Sequence, residues 1–279
     1  MTDAPTSSDW AGARGEKWQR QLAPMEAMLS AVTAPLISAL ALEGPCRVAD
    51  IGCGGGAATL EIARQAPEGS AVTGLDISPA LIASARMPAP PAGRQVTFEV
   101  ADMATAEPST PFDRLASRFG VMFFDHPPAA FSNMARWLAP GGRFAFAVWG
   151  PPANNPWMTA AREAVAQVAD LPPRDPDGPG PFRYGDVDHL IRLLTIAGFE
   201  GVRADEWRGR LEMGGGLDAP GAADFALNAF SVGDVLADAG PAAAARARSA
   251  LIARYRDHLQ DGVVTMEAHV HIVTGVRPS

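Results

Sequence analysis

Residues 48–56, Val-Ala-Asp-Ile-Gly-Cys-Gly-Gly-Gly, constrain the fold more than any other stretch of this chain. An apolar run ending in Asp50 is followed by glycines at 52, 54, 55 and 56, and Ala57 to Ala63 then reads as the start of a helix. The order is strand, tight turn, helix. Glycine reaches positive φ without a Cβ clash and lets a ligand approach the backbone closely. The helix that follows offers free N–H groups at its N-terminus. A nucleotide-type ligand is the first expectation.

Further strands recur at the spacing of βαβ units. Ala71 to Asp76 is a second buried strand ending in a carboxylate, and Ser78-Pro79 reads as the N-cap and first position of a helix over 80–86. Val96 to Val100 is a third strand and Phe112 to Ser117 a fourth. A helix from Pro128 to Leu138 ends at Pro140-Gly141-Gly142, and Arg143 to Trp149 is a fifth strand. Such alternation argues for a parallel sheet with right-handed crossovers, and ligands of such sheets bind outside the carboxyl ends of the strands. The glycine loop, Asp76, Asp102, Ser117-Arg118 and Trp149-Gly150 all fall at those ends, so one crevice is expected to gather them.

Flanking segments are less regular. Residues 1–9 carry little to bury and read as disordered. From Trp10 to Leu42 apolar residues recur at three and four, with Pro24 and Pro35 dividing the stretch into two or three short helices. This arm either pads the core or covers the ligand. Beyond a proline- and glycine-rich stretch with a helix over 157–168, residues 186–197 form a helix and 201–213 a sixth strand. An alanine-rich helical region spans about 220–260, and Thr265 to Val276 closes the chain as a strand. The division expected is an N-terminal arm over 1–44, a ligand-binding core over 45–150 and a remainder over 151–279.

Charge and cysteine usage exclude several classes. With 23 basic against 31 acidic side chains the net charge is −8, and no lysine/arginine block provides a phosphate-backbone footprint, so nucleic acid is not an expected partner. Cys46 and Cys53 are the only cysteines, which rules out a disulfide scaffold or a cysteine zinc site and fits a reducing, cytoplasmic setting. No apolar run approaches the ~20 residues of a bilayer span, so no membrane partner is expected either.

The letters Gly52-x-Gly54-x-x-Ala57 also satisfy the NAD-binding pattern. Asp50, two residues before the first glycine, would oppose a pyrophosphate but welcome an ammonium group, which favours S-adenosylmethionine. The segments Val48 to Gly56, Gly74 to Ser78, Ala101-Asp102-Met103, Ser117 to Phe124 and Leu138 to Arg143 together resemble the class I S-adenosylmethionine-dependent methyltransferases, within them the UbiE-like small-molecule group. The resemblance implies a Rossmann-like, doubly wound α/β sheet of seven strands with the last antiparallel. It also implies a helical cap, about 214–263, between strands six and seven, and with these the N-terminal arm is expected to form a helical lid. Carried over by position, Gly52, Cys53 and Gly54 would pass under the methionyl part, and Asp50 would hold its ammonium group. Asp76 would take the ribose hydroxyls with Ile77 against adenine, Asp102 and Met103 would hold the ring, and Ser117 and Arg118 would sit near the methionine end. A non-methylating member of the fold and an NAD-dependent oxidoreductase remain the competing readings.

The partner expected is a small-molecule methyl acceptor, with a homodimer left open. His126, with Asp125 as an orienting partner, is the best-placed base if the acceptor needs one. Trp18, Phe123, Trp149 and Trp157, together with Trp10 and Phe124, fall near the crevice and suit a flat, apolar acceptor. His269 and His271 point to one face of the last strand as two metal ligands could. No third ligand stands out in the sequence, so no metal is expected.

Overall fold

The computed structural model describes residues 6–173 and 175–279. Four helices precede the sheet: α1 (Ser7–Ala11), α2 (Ala13–Arg20), α3 (Leu22–Leu29) and α4 (Thr33–Leu40). Pro24 and Pro35 each stand in a first turn, where the missing N–H has no intrahelical partner to lose. The disorder expected over 1–9 does not hold for residues 6–9. Thr6 caps α1 by accepting from the Asp9 N–H while the Asp9 carboxylate accepts from the Thr6 N–H, a reciprocal capping box. Residues 1–5 lie outside the described residues.

One helical run, Leu22–Leu40, is long and apolar enough by length and composition to cross a membrane, where the sequence reading counted none. Met25, Met28, Val32, Leu36, Ile37 and Leu40 within it are buried in the main core, and α4 packs on the sheet.

The sheet contains β1 (Arg47–Ile51), β2 (Ala71–Asp76), β3 (Gln95–Val100), β4 (Phe112–Arg118), β5 (Leu138–Trp149), β6 (Glu200–Glu212), β7 (Leu259–Gln260) and β8 (Val263–Val276). Its order is β3-β2-β1-β4-β5-β8-β6, with β7 paired only to β8. The first five strands run parallel, and β8 is antiparallel to both β5 and β6. The expected seven strands are therefore present, together with a two-residue eighth. Its cause is Asp261-Gly262, both at positive φ, which close a tight hairpin between β7 and β8. A second departure concerns β5, which starts at Leu138, so that Pro140-Gly141-Gly142 forms an irregularity inside the strand.

Crossovers are made by α5 (Ala57–Gln65), α6 (Pro79–Ala85) and α7 (Pro127–Trp137). α8 (Pro156–Ala166) and α9 (Val187–Ile196) precede β6. Between β6 and β7 lie α10 (Ala219–Ala229), α11 (Val232–Asp238) and α12 (Pro241–Arg256), which pack on one another and on α8. Aromatic side chains pack against one another at β5. Phe144 stacks on Phe146 at 4.6 Å and meets the edge of Phe199 at 4.8 Å, all three fully buried.

Candidate functional site

Parallel order puts the carboxyl ends of β1, β2 and β4 side by side, and the turns leaving them build one wall of a cavity of about 1640 Å³. Gly52 and Gly54 hold φ of +65° and +56°. A Cβ on Gly52 would stand 2.8 Å from the Gly120 Cα, so only glycine lets the two loops touch. A Cβ on Gly54 would meet nothing closer than a Glu26 oxygen at 3.8 Å, which leaves that backbone bare on the cavity side.

Three carboxylates belong to this wall. Asp50 is buried and accepts from the Thr59 hydroxyl at 2.7 Å through one oxygen, while the other oxygen is buried without a partner. Burial pushes Asp50 up to about 6. Asp76 accepts the Gly54 N–H and the Ser78 N–H, each at 2.9 Å, and burial raises it despite these donors. Asp102 accepts the Ala104 N–H at 2.8 Å, just beyond β3.

Asp50, Gly52, Cys53, Gly54, Asp76, Ile77, Asp102, Met103 and Arg118 all line the cavity. Ser117 does not. Fully buried, it donates its hydroxyl to the Ile51 carbonyl at 2.7 Å and ties β4 to the end of β1. Trp18, Phe123, Trp149 and Trp157 line the cavity as well, together with Trp10 and Phe124. Their mutual contacts are close: Trp10 meets Trp18 at 5.9 Å and Phe123 at 5.0 Å, and Trp149 meets Trp157 at 4.8 Å. His126 is exposed at the start of α7 and is not among the lining residues. Asp125, its expected partner, instead accepts the Ser7 N–H at 2.9 Å and so fastens the arm.

Several lining residues were not read from the sequence. Glu26 of α3 forms an ion pair with Arg118, whose side chain is only 6% exposed and also donates to the Thr33 hydroxyl at 2.8 Å. Phe119 holds φ of +70°, which is costly for a side chain of that size. Its ring stacks on Trp149 at 4.0 Å and its N–H donates to the Ala147 carbonyl, which together fix that conformation. On the far side, Lys17 of α2 pairs with Asp234 of α11 at 2.6 Å, joining the arm to the helices after β6. The arm also docks beside the ligand wall. Gly15 lies so close to α6 that a Cβ would meet the Ser78 hydroxyl at 2.2 Å, and Gln19 donates to Ser84 at 2.8 Å.

A glycine turn and two strand-end acids below an aromatic cavity define a Rossmann-like protein built for an adenosyl ligand. The methyltransferase domain family matches residues 48–142. The chain is 38% identical over 172 residues to a trans-aconitate 2-methyltransferase of Streptomyces avermitilis, covering 58% of this chain and 60% of that one. A second enzyme of that name, from Methylobacterium nodulans, is 38% identical over 112 residues, 40% and 42% of the two chains. Thus the chain spans about half the length of these relatives. A ubiquinone biosynthesis O-methyltransferase of Xylella fastidiosa is 35% identical over 180 residues, covering 60% of this chain and 68% of the relative. Among solved structures, the cyclase SpnF superposes with a TM-score of 0.57 at 19% identity over 100% and 98% of the two chains, which shows the shared fold. The chain belongs to the class I S-adenosylmethionine-dependent methyltransferases, in their UbiE-like small-molecule group, and S-adenosylmethionine is its expected cofactor.

The residues present fit that cofactor. The unpartnered oxygen of Asp50 suits an ammonium group, and the bare Gly54 backbone suits close approach of the methionyl chain. Asp76 retains acceptor lone pairs beyond the two N–H groups it holds, as ribose hydroxyls require.

Proposed function

We propose that this protein methylates a flat, largely apolar small molecule held between the aromatic side chains of the arm, the 119–124 loop and the end of β5. One observation carries the reading. The cavity of about 1640 Å³ exceeds the roughly 300–1,000 Å³ of a one-ligand pocket, and its volume beyond the glycine loop and Asp76 is lined largely by tryptophan, phenylalanine and proline, with charged side chains such as Arg183 among them. When bound, S-adenosylmethionine supplies a methyl group on a sulfonium centre. The protein's own work is positioning: Asp50 holds the ammonium group, Asp76 the ribose, and Asp102 with Met103 the adenine. Trp10, Trp18 and Phe123 close over the acceptor and exclude water.

No histidine lines the cavity among the described residues. That arrangement supports an acceptor that needs little help with its proton, a phenol or a carboxylate, over an alcohol or carbon acid. A specific observation keeps a second reading. Arg183 lines the cavity with its Nε buried and unpartnered while it donates through Nη1 to the Phe124 carbonyl. An acceptor bearing a carboxylate would satisfy it. The aconitate and quinone methyltransferases among the relatives bracket these two choices. The test is release of S-adenosylhomocysteine with a panel of phenols, quinols and di- and tricarboxylic acids. Turnover with the planar aromatic acceptors is expected, turnover confined to aliphatic acids would replace the first reading by the second, and none with any acceptor would favour a non-methylating member of the fold. The two cysteines, both free and buried, suit the cytoplasmic setting proposed for this reaction.

The buried Asp50 makes cofactor binding depend on pH. Its folded value, about 6, lies above the ordinary 3.8, chiefly through burial, so ionisation is opposed in the ligand-free fold. That penalty is fully present above about 6 and is relieved as the pH falls toward 4. Lowering the pH from about 7.5 to about 5.5 is therefore expected to stabilise the ligand-free protein while weakening the cofactor, whose ammonium group prefers the carboxylate. Calorimetric titrations at both pH values, with Asp50→Asn as control, check this. A wild-type affinity that does not fall would remove Asp50 from the ammonium site.

A further inference from the structure

The antiparallel register of β6 and β8 brings together a side-chain set that neither strand displays alone. His269 and His271 lie two apart on β8 and share a face. Glu206 of β6 stands directly opposite His271, and Arg208 opposite His269. One ligating atom from each of Glu206, His269 and His271 lies within 4.8 Å of the other two, and the imidazole centroids are 4.6 Å apart. The third ligand that the sequence did not reveal is thus supplied by a residue 63 positions before His269.

The hydrogen bonding of this cluster is incomplete. His269 and His271 are 2% and 6% exposed. Nε2 of His269 and both ring nitrogens of His271 are buried without a hydrogen bond of good geometry, and the Gly185 backbone reaches His271 from outside the cluster. Buried polar nitrogens are ordinarily paired, and with one His271 nitrogen given to the Gly185 backbone, His269 Nε2 and the other His271 nitrogen still call for an occupant. A proton shared with Glu206 does not account for them, because its carboxylate oxygen lies 3.5 Å from His269 Nε2 and reaches no nitrogen of His271 within hydrogen-bonding distance.

We propose that Glu206, His269 and His271 bind a divalent first-row transition cation, with zinc as the best match, at a site on the sheet separate from the methyl-transfer cavity. The donor set is two imidazoles and one carboxylate, the composition of a three-ligand zinc site that leaves a fourth position for water. Ligand bonds of about 2.0 Å place tetrahedral donors about 3.3 Å apart, so side-chain rotations suffice to gather atoms already this near. Glu206 is exposed, and the open position faces solvent on that side. The nearest cation, Arg208, pairs with Oε2 of Glu206 at 3.0 Å and leaves Oε1 turned toward His269. His269 Nδ1 lies 3.3 Å from the side-chain nitrogen of Asn154, whose amide can be turned over to exchange its nitrogen and oxygen. With its oxygen turned inward, that amide would accept the Nδ1 proton and fix the tautomer with Nε2 free for metal. Because the ligands come from adjacent antiparallel strands, the ion would clamp β6 to β8.

The test uses tag-free full-length protein stripped with chelator and titrated with zinc chloride in a calorimeter, then with cobalt chloride in a visible spectrometer. One zinc per chain is expected, with cobalt giving the intense absorption of a four- or five-coordinate site and zinc raising the thermal midpoint. Glu206→Gln changes an exposed side chain and is expected to retain the fold, while weakening zinc at least tenfold and altering the cobalt spectrum. His271→Ala is expected to abolish both signals. Absence of zinc binding by the wild type, or equal affinity in the wild type and Glu206→Gln, would overturn the assignment. If His271→Ala does not fold, the wild-type and Glu206→Gln titrations decide the matter alone.

Discussion

Replacing Asp76 by alanine is expected to lower S-adenosylmethionine affinity at least a hundredfold while leaving the protein folded. Asp76 ends β2 with each oxygen accepting one backbone N–H, from Gly54 of the glycine loop and from Ser78 at the cap of α6. The carboxylate therefore acts twice, by shaping the loop and by offering its remaining lone pairs to the ribose. Losing two hydrogen bonds to a charged acceptor at the ligand, each worth about 1.5–3 kcal/mol, accounts for a hundredfold or more. The loop is expected to be destabilised as well, by about 1–3 kcal/mol, because the Gly54 and Ser78 N–H groups lose their acceptor. That is small against a hydrophobic core that takes in residues of β1, β2, β4, β5, β6 and β8, so the fold is expected to survive. Asp76→Asn separates the two roles. It retains one acceptor oxygen but presents an NH2 group to a backbone N–H, and an intermediate affinity is expected. Calorimetry beside a thermal melt distinguishes the outcomes, and an Asp76→Ala protein that melts normally and binds the cofactor normally would refute the ribose assignment.

Why Asp76 was legible in the sequence and other site residues were not follows from where the information lies. The parallel strands are buried and read as short apolar runs between glycines and prolines, so β1 to β5 and the acids at their ends could be placed by position. Asp50, Asp76 and Asp102 need only their own strand and the next turn to reach the cavity. Trp10, Trp18 and the aromatic residues after β4 could be placed near the crevice for the same reason. Long-range partners are different in kind. The Glu206–His271 pairing is a property of register between β6 and β8, and no local pattern states it. The conformation of Phe119 is imposed by stacking on Trp149, and its residue type argues against positive φ. Ser117 stands at a strand end that should face the ligand, yet its short side chain turns to the Ile51 carbonyl. Two signals were present and overlooked. Asp261-Gly262 is a strong two-residue hairpin pattern. Glu26 is the only charged residue within Leu22–Leu40, and a lone acid in so apolar a helical run needs a partner.

That partner makes Glu26 the residue outside the glycine wall whose loss is expected to cost most. Arg118 is only 6% exposed, and apart from Glu26 its guanidinium has the Thr33 hydroxyl at 2.8 Å and the Leu29 carbonyl at 3.5 Å. Truncating Glu26 to alanine strands a buried cation, for which about 3–5 kcal/mol of destabilisation is typical. Glu26→Gln keeps an acceptor and is expected to cost less. The double variant Glu26→Gln with Arg118→Met removes both charges and is expected to recover most of the loss, because replacing a buried pair by apolar volume is often neutral. The electrostatic consequence reaches Asp50, on which Arg118 acts to lower the pKa and Glu26 to raise it. Removing Glu26 alone takes away one raising influence while burial, Asp76 and Arg118 remain, so the pH at which cofactor affinity falls is expected to move below that of the wild type. In the double variant both of these influences vanish, and burial, the largest cause throughout, is left with the smaller effects of Thr59 and Asp76. Chemical denaturation of the four proteins measures the coupling, and cofactor titration across pH measures its reach. An Asp50 transition unmoved in Glu26→Ala would mean that the ion pair braces α3 against the sheet without tuning the ammonium site.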